Sequence, residues 1–169
     1  SVGILANDSN FYAGSMSAQG AQKTSRFVKM CDTFHLPIIS LIDEPGFLIG
    51  PEAEEQATIL HGTHAVLAVT ESKVPWTSIM IRKSFGVAAA AHYGPDGYVL
   101  AWPSAESGAL PVEGGVAVAF KKEISEAKDP EIKRKEIELS LTKNQNPFPR
   151  AENFSVHEII DPRDTRKYL

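Results

Sequence analysis

The sequence predicts an α/β fold built on a largely parallel sheet. Three short runs rich in Val, Ile and Leu, at Val2 to Ala6, Pro37 to Asp43 and Trp76 to Ile81, read as strands buried on both faces. Segments with helical spacing of apolar residues separate them. Such a β-α-β-α-β alternation is satisfied most simply by parallel strands joined through right-handed crossovers.

Each element has a local cause. Ser15 or Ser17 can cap the first helix, Phe27, Val28, Cys31 and Phe34 recur at helical spacing, and Pro37 stops the helix before the second strand. Cys31 belongs to that apolar stripe, as a free cysteine usually does. Asp43 and Glu44 end the second strand and lead into the breaker-rich loop Pro45-Gly46-Phe47-Leu48-Ile49-Gly50. A helix is expected from Pro51, with Glu52, Glu54 and Glu55 favoured by its dipole and Ile59, Thr63, Val66 and Leu67 as the inward stripe. The third strand ends in a bare turn, Ser84-Phe85-Gly86-Val87-Ala88-Ala89-Ala90-Ala91-His92. Tyr98 to Trp102 reads as a fourth strand, Gly115 to Ile124 and Pro130 to Thr142 as helices, and Asn144 to Asn153, with Pro147 and Pro149, as a loop. Val156 to Ile160 is a short apolar stretch, and Asp161 opens a capped turn.

At 169 residues, 43% hydrophobic and 22% charged, the chain has the size and composition of one globular domain. Its net charge of -4 offers no general basic field for nucleic acid, and the late Lys and Arg residues are interleaved with acids, as in Glu131-Ile132-Lys133-Arg134-Lys135-Glu136. A lone cysteine cannot form an internal disulfide, which points to a reducing compartment, cytoplasmic or, in a eukaryote, the mitochondrial matrix. No apolar run reaches the roughly 18 residues of a membrane span. The abrupt opening at Ser1 and the close at Leu169 are expected of a piece of a longer polypeptide.

Several chemistries lack their signatures. Neither Gly-x-x-x-x-Gly-Lys-Ser/Thr nor Gly-x-Gly-x-x-Gly occurs, and Gly14-Ser15-Met16-Ser17-Ala18 fails the hydrolase pattern Gly-x-Ser-x-Gly. His61 and His64 can share a helix face, but a third metal ligand is not evident, so no metal is expected. Asp43 and Glu44 stand at the carboxyl end of a strand, where ligands of open α/β sheets gather, though they could equally cap the turn. The loop from Asp43 to Gly50 and the turn from Gly86 to Ala91 each follow a parallel strand and should open on one sheet edge. Small residues in that turn leave the first amides of a helix uncovered, and an anionic oxygen can sit there as in an oxyanion hole. An Ala-rich helix start selected for close contact is the plainer alternative. His92 fits either helix contacts or a pocket donor, and His35 the surface.

Ordered motifs cover nearly the whole chain: Val2-Gly3-Ile4-Leu5-Ala6-Asn7, Arg26-Phe27-Val28, Cys31-Asp32-x-Phe34, Pro37-Ile38-Ile39, Asp43-x-Pro45-Gly46-Phe47-Leu48-x-Gly50, His61-Gly62, Arg82-Lys83-x-Phe85-Gly86, Ala101-Trp102-Pro103-x-Ala105-Glu106, Asn146-Pro147-Phe148 and Asp161-Pro162-x-x-Thr165-Arg166. Together they resemble the C-terminal, crotonase-like half of the carboxyltransferase (beta) subunit of biotin-dependent acyl-CoA carboxylases, of the propionyl-CoA carboxylase type. The Asp-x-Pro-Gly-Phe and Ala-Trp-Pro-x-Ala-Glu elements are the most specific.

The resemblance implies a crotonase-like fold of repeated β-β-α units, with residues 1–169 as the biotin-side half of the carboxyltransferase. It implies biotin on a separate carrier domain, acyl-CoA as substrate, and as partners an N-terminal carboxyltransferase half, biotin carboxyl carrier and biotin carboxylase components, and further copies of the chain. Carried over by position, the backbone amides of Val87 and Ala88 stabilise the ureido oxygen of biotin; Pro45, Gly46, Phe47 and Gly86 border biotin, and Ala89 and Ala90 the acyl group. The family's Gly-Gly-Ala-Tyr-Asp is here Gly86-Val87-Ala88-Ala89-Ala90, so an acid has become Ala90 and a roomier or more apolar acyl pocket is expected. Ala89 to Tyr93 is similar to the carboxyltransferase subunit of glutaconyl-CoA decarboxylases, which leaves reaction direction open. An assembly or carrier-binding module without turnover, or a stand-alone hydratase or isomerase using Glu44, are the remaining readings.

Overall fold

A computed structural model of the chain describes residues 1–169 apart from the side chains at positions 113, 114, 117 and 118. Strand β1 (Gly3–Ala6), helix α1 (Ala18–Thr33), strand β2 (Ile38–Glu44), helices α2 (Pro51–Glu55) and α3 (Thr58–Glu71) and strand β3 (Trp76–Phe85) follow the expected alternation. The Gly86 turn becomes helix α4 (Gly86–Ala89), continued by a single 3-10 turn to His92. Strands β4 (Tyr98–Ala101) and β5 (Glu106–Gly108), helices α5 (Val112–Ala119), α6 (Lys121–Ser125), α7 (Pro130–Gln145) and α8 (Pro147–Glu152) and strand β6 (Glu158–Ile159) complete the order.

Every strand pair is parallel, in the order β1-β2-β3-β4-β6. The ten residues of β3 serve two partners: Thr77 to Met80 pair with β4, and Lys83 to Phe85 pair with β5. Upstream, Met16 and Phe47 form a parallel bridge, with Met16 donating to the Gly46 carbonyl and Leu48 to the Met16 carbonyl, both at 3.0 Å. These bridges act as minimal second strands, so β1–Met16–α1, β2–Phe47–α2/α3 and β4–β5–α5 each follow a β-β-α order. The parallel α/β architecture expected from the sequence is therefore present.

Helices α1 and α3 lie side by side over one sheet face, where Val28 and Cys31 meet Ile38, Ala68, Val69 and Trp76. Ser17 caps α1 by accepting from the Gly20 amide at 3.1 Å. Strand β2 alternates, with Ile38, Ser40, Ile42 and Glu44 buried and Ile39, Leu41 and Asp43 half-buried, and Ile4 on β1 is 61% exposed. The continuous apolar runs thus overstate burial on the second face.

Other expectations shift for local reasons. The helix from Pro51 breaks at Ala57, whose φ of 54° is left-handed, and this rotates α3 relative to α2. Thr58, Gly62, Ala65, Ala68 and Val69 are buried, whereas Ile59 and Leu67 are 61% and 50% exposed and Val66 half-buried. The helix expected at Gly115 starts at Val112 and is interrupted at Phe120. Pro147, read as a breaker, is the first residue of α8, a position that needs no amide hydrogen, and Asn146 caps it by accepting from the Phe148 amide.

Gly14 sits at φ 93°, and a Cβ there would lie 2.6 Å from the Asp43 carbonyl oxygen. Gly14→Ala is expected to cost about 2–4 kcal/mol, from the left-handed backbone and from pushing the end of β2. A denaturant midpoint equal to wild type would contradict this close approach.

Candidate functional site

Both loops singled out in the sequence leave the carboxyl ends of β2 and β3, which are neighbours in the sheet. Near that edge the register shifts between Ile42 and Glu44, so that Glu44 pairs with Ser84. Asp43 then faces Arg82, whose Nε donates to both carboxylate oxygens at 3.0 and 3.1 Å, and Asp43 also accepts from the Lys83 amide at 3.2 Å. The Asp43 carboxylate raises the Arg82 pKa through that hydrogen bond and through its charge.

Glu44 is fully buried. One of its oxygens accepts from the amides of Met16 at 3.2 Å and Gly46 at 3.0 Å, and the other from Asn7 Nδ2 at 3.0 Å. Asn7 Nδ2 also donates to the Gly14 carbonyl, and Asn7 Oδ1 accepts from the Asp43 amide. His92 Nε2 lies 3.6 Å from Glu44 Oε2, and His92 Nδ1 is 2.9 Å from Ser40 Oγ. The His92 carbonyl accepts from Trp76 Nε1 and Ser78 Oγ. A buried carboxylate thus links β1, the Met16 segment and the Pro45 loop, and His92 brings the end of the Gly86 turn beside it. Glu44 is fully buried and both its oxygens already accept hydrogen bonds, an environment that suits a structural carboxylate better than the base of a hydratase.

Gly86 adopts φ 65° and opens α4. Among the described residues, neither the Val87 nor the Ala88 amide donates to a side chain or to a carbonyl of a loop. Val87 is 69% exposed and Ala88 wholly buried. Ala88 and Ala91 pack with Met16, Ala21, Ala65, Phe47 and Val66. Phe47 approaches α3 so closely that a methyl group on Gly62 would run into its ring. The two loops are therefore in one apolar cluster, through Phe47 and Ala88.

A pocket of about 430 Å³ opens beside the turn, lined by Gly86, Ala89 and Ala90 together with Tyr93, Ser107 and Arg150. Met80, Val99 and Val156 add apolar surface. Pro45, Gly46, Phe47 and Val87 lie outside it. Tyr93 hydroxyl and Ser84 Oγ are hydrogen-bonded at 2.7 Å. Burial pushes the Tyr93 phenol up, against the opposing hydrogen bond from Ser84 and the Arg150 charge. Ser107 Oγ is buried without a hydrogen-bond partner, a state that costs about 1–3 kcal/mol when nothing fills it. Ser107 and Arg150 were not legible as site residues: Arg150 stands in the stretch read as a loop, and Ser107 on the short strand β5.

His61 and His64 meet edge to face at 6.2 Å, with His61 Nε2 also 2.9 Å from Gln22 Nε2. No group of three or more potential metal ligands occurs among the described residues.

Over residues 1–169 the chain matches the carboxyl transferase domain. It is 37% identical over 174 residues to the carboxyltransferase subunit of propionyl-CoA carboxylase from Haloferax mediterranei, covering 100% of this chain and 34% of that protein. To methylmalonyl-CoA decarboxylase subunit alpha from Propionigenium modestum it is 35% identical over 174 residues, again covering 100% of this chain and 34% of that protein. Among solved structures, hexameric transcarboxylase 12S with methylmalonyl-coenzyme A and methylmalonic acid bound superposes with a TM-score of 0.90 at 36% identity, covering 99% of this chain and 33% of that one. The chain thus spans about a third of the length of these relatives.

Glu44 serves three donors at once, and Glu44→Ala takes the acceptor from the Gly46 amide, while the Met16 amide and Asn7 Nδ2 keep only the Gly46 and Gly14 carbonyls. The expected loss is about 1–3 kcal/mol of stability. Chemical denaturation measures it, and a loss below about 1 kcal/mol would show that this carboxylate does not hold the site together.

Proposed function

The chain belongs to the carboxyl transferase domain family, and from that premise we propose that residues 1–169 form the biotin-facing, C-terminal half of an acyl-CoA carboxyltransferase. Its reaction is carboxyl transfer from carboxybiotin to the α-carbon of an acyl thioester. The observation that carries this reading is the pair of adjacent amides at Val87 and Ala88, which open a helical turn without loop or side-chain acceptors. Val87 is the exposed residue of the two and Ala88 the buried one, and on this reading both amides are offered to the anionic oxygen.

The residues present suit a ureido group. A biotin ring needs a donor for its oxygen and close access to backbone, and the turn offers both: Gly86 has no side chain, and a Cβ on Gly46 would meet nothing within 4 Å. On this reading Pro45, Gly46, Phe47 and Gly86 border biotin, while Ala89 and Ala90 face the acyl group across the 430 Å³ cavity they line. Carboxybiotin, carried on a separate domain, supplies the activated carboxyl group and, once that has left, a nitrogen able to take the α-proton. The chain's own part is to present fixed dipoles where negative charge grows and to keep water away with Phe47 and the small-residue cluster beneath Ala88. No side-chain base is required.

An N-terminal half that grips acyl-CoA, carrier and carboxylase components and further copies of the chain complete this reading. Apolar side chains left open here support it: Ile4, Phe11 and Tyr12 are 61%, 69% and 64% exposed, and Ile49 is 90% exposed. No helix of the described residues is long and apolar enough to cross a membrane. Similarity to a decarboxylase subunit at 35% identity favours a second reading, the same site run in the decarboxylating direction.

Proline removes an amide hydrogen yet fits the first turn of a helix. In the assembled enzyme, Val87→Pro is expected to lower carboxyl transfer by about 10²–10³-fold. Val87→Ala keeps the amide and costs far less. Equal losses in the two variants, read by fixation of labelled carboxyl into acyl-CoA, would reject the amide as the donor.

A further inference from the structure

The cavity beside the Gly86 turn contains more positive and hydrogen-bonding capacity than an acyl chain uses. Its small-residue wall, Gly86, Ala89 and Ala90, is joined by Arg150 and Ser107. Arg150 makes no side-chain hydrogen bond or ion pair among the described residues, although Arg82 and Arg134 each meet a carboxylate. Ser107 is 7% exposed, and its Oγ has no hydrogen-bond partner. Ser84, its register partner on β3, is occupied with Tyr93. An unpaired guanidinium and an unpaired buried hydroxyl on one cavity are complementary to a carboxylate, which offers two acceptor oxygens to the planar fork of an arginine and can accept from a hydroxyl as well.

Resting on the carboxyltransferase reading, the geometry points to a carboxylate subsite at Arg150 and Ser107. It holds the free carboxylate of an acyl thioester, beside the turn whose amides face the reaction. Ala90 leaves that guanidinium without an acidic neighbour on the turn, so its charge stays available to ligand. The carboxylate has two sources: the group being transferred, on the α-carbon, or a second carboxylate at the far end of a longer acyl chain. In either case the enzyme discriminates by charge between thioesters that carry a carboxylate and those that end in a methyl group.

Equilibrium binding to the complete assembly tests this with three probes: propionyl-CoA, methylmalonyl-CoA and glutaryl-CoA. Arg150→Gln is expected to weaken the carboxylate-bearing thioesters by about 10–100-fold and propionyl-CoA far less. A loss confined to methylmalonyl-CoA assigns the transferred group, and a loss confined to glutaryl-CoA the distal one. Ser107→Ala keeps the charge and loses a smaller factor with the same selectivity, so it decides the matter if the arginine variant does not fold. Variants that leave all three affinities unchanged, or weaken all three alike, overturn the subsite. Measuring carboxyl transfer on the same preparations separates the two claims. Transfer with no charge selectivity keeps the carboxyltransferase reading and rejects the subsite; charge-selective binding with no biotin-dependent transfer does the reverse.

Discussion

The parallel pairing of β2 with β3, closed at its carboxyl end by the buried Glu44 carboxylate, is the constraint on which the rest of this structure depends. Parallel strands deliver their following loops to the same edge of the sheet. That alone would leave two mobile loops next to one another. Glu44 changes this by accepting from Met16, Gly46 and Asn7 while lying 3.6 Å from His92 at the end of the turn. A buried carboxylate is tolerable only when its oxygens are satisfied, so the surrounding segments cannot drift apart without exposing or orphaning it. Polar burial here sets position more than it adds stability.

Much of this frame could be read from residue order. The runs at Val2, Pro37 and Trp76 became β1, β2 and β3, Ser17 caps α1, and Cys31 lies in the core beside Ile38, because these follow from local period and capping chemistry. Reading failed where tertiary geometry decides. The left-handed Ala57 turns α3 by enough to replace Ile59 and Leu67 with Gly62, Ala65 and Ala68 at the helix interface, and no periodicity within α3 encodes a rotation imposed upstream. Strands β5 and β6 are three and two residues long, too short for alternation to register. Pro147 and Pro149 looked like breakers, yet a proline at a helix start is compatible with α8.

The candidate site divides in the same way. The turn from Gly86 to Ala90 was visible as small residues after a strand, and its link to Phe47 runs through Ala88, as adjacent parallel loops require. The 430 Å³ cavity was not visible, because it joins that turn to Ser107 and Arg150, distant in sequence and on elements that pattern alone did not detect. Glu44 and His92 were each noticed alone. Only the fold shows that they face each other and that Glu44 is buried with both oxygens accepting hydrogen bonds from the surrounding segments.

A site built from amides, as proposed for the Gly86 turn, has an energetic requirement: water must be kept from its donors. A hydrogen bond exposed to water is worth only about 0.5–1.5 kcal/mol net, because water competes for both partners. Its value to a developing charge rises when water is excluded and the local dielectric falls. Residue Val87 is 69% exposed, so water reaches this side of the turn in the chain by itself. Buried Ala88 and the cluster below it supply a dry floor; a second surface must supply the roof. The apolar residues left uncovered at Ile49, Phe11 and Tyr12 are what such a surface would bury, and covering them would provide association energy while drying the turn. Under the proposed function, assembly and catalysis are then coupled: the contact that removes apolar side chains from water also keeps water from the Gly86 turn and strengthens the dipoles there.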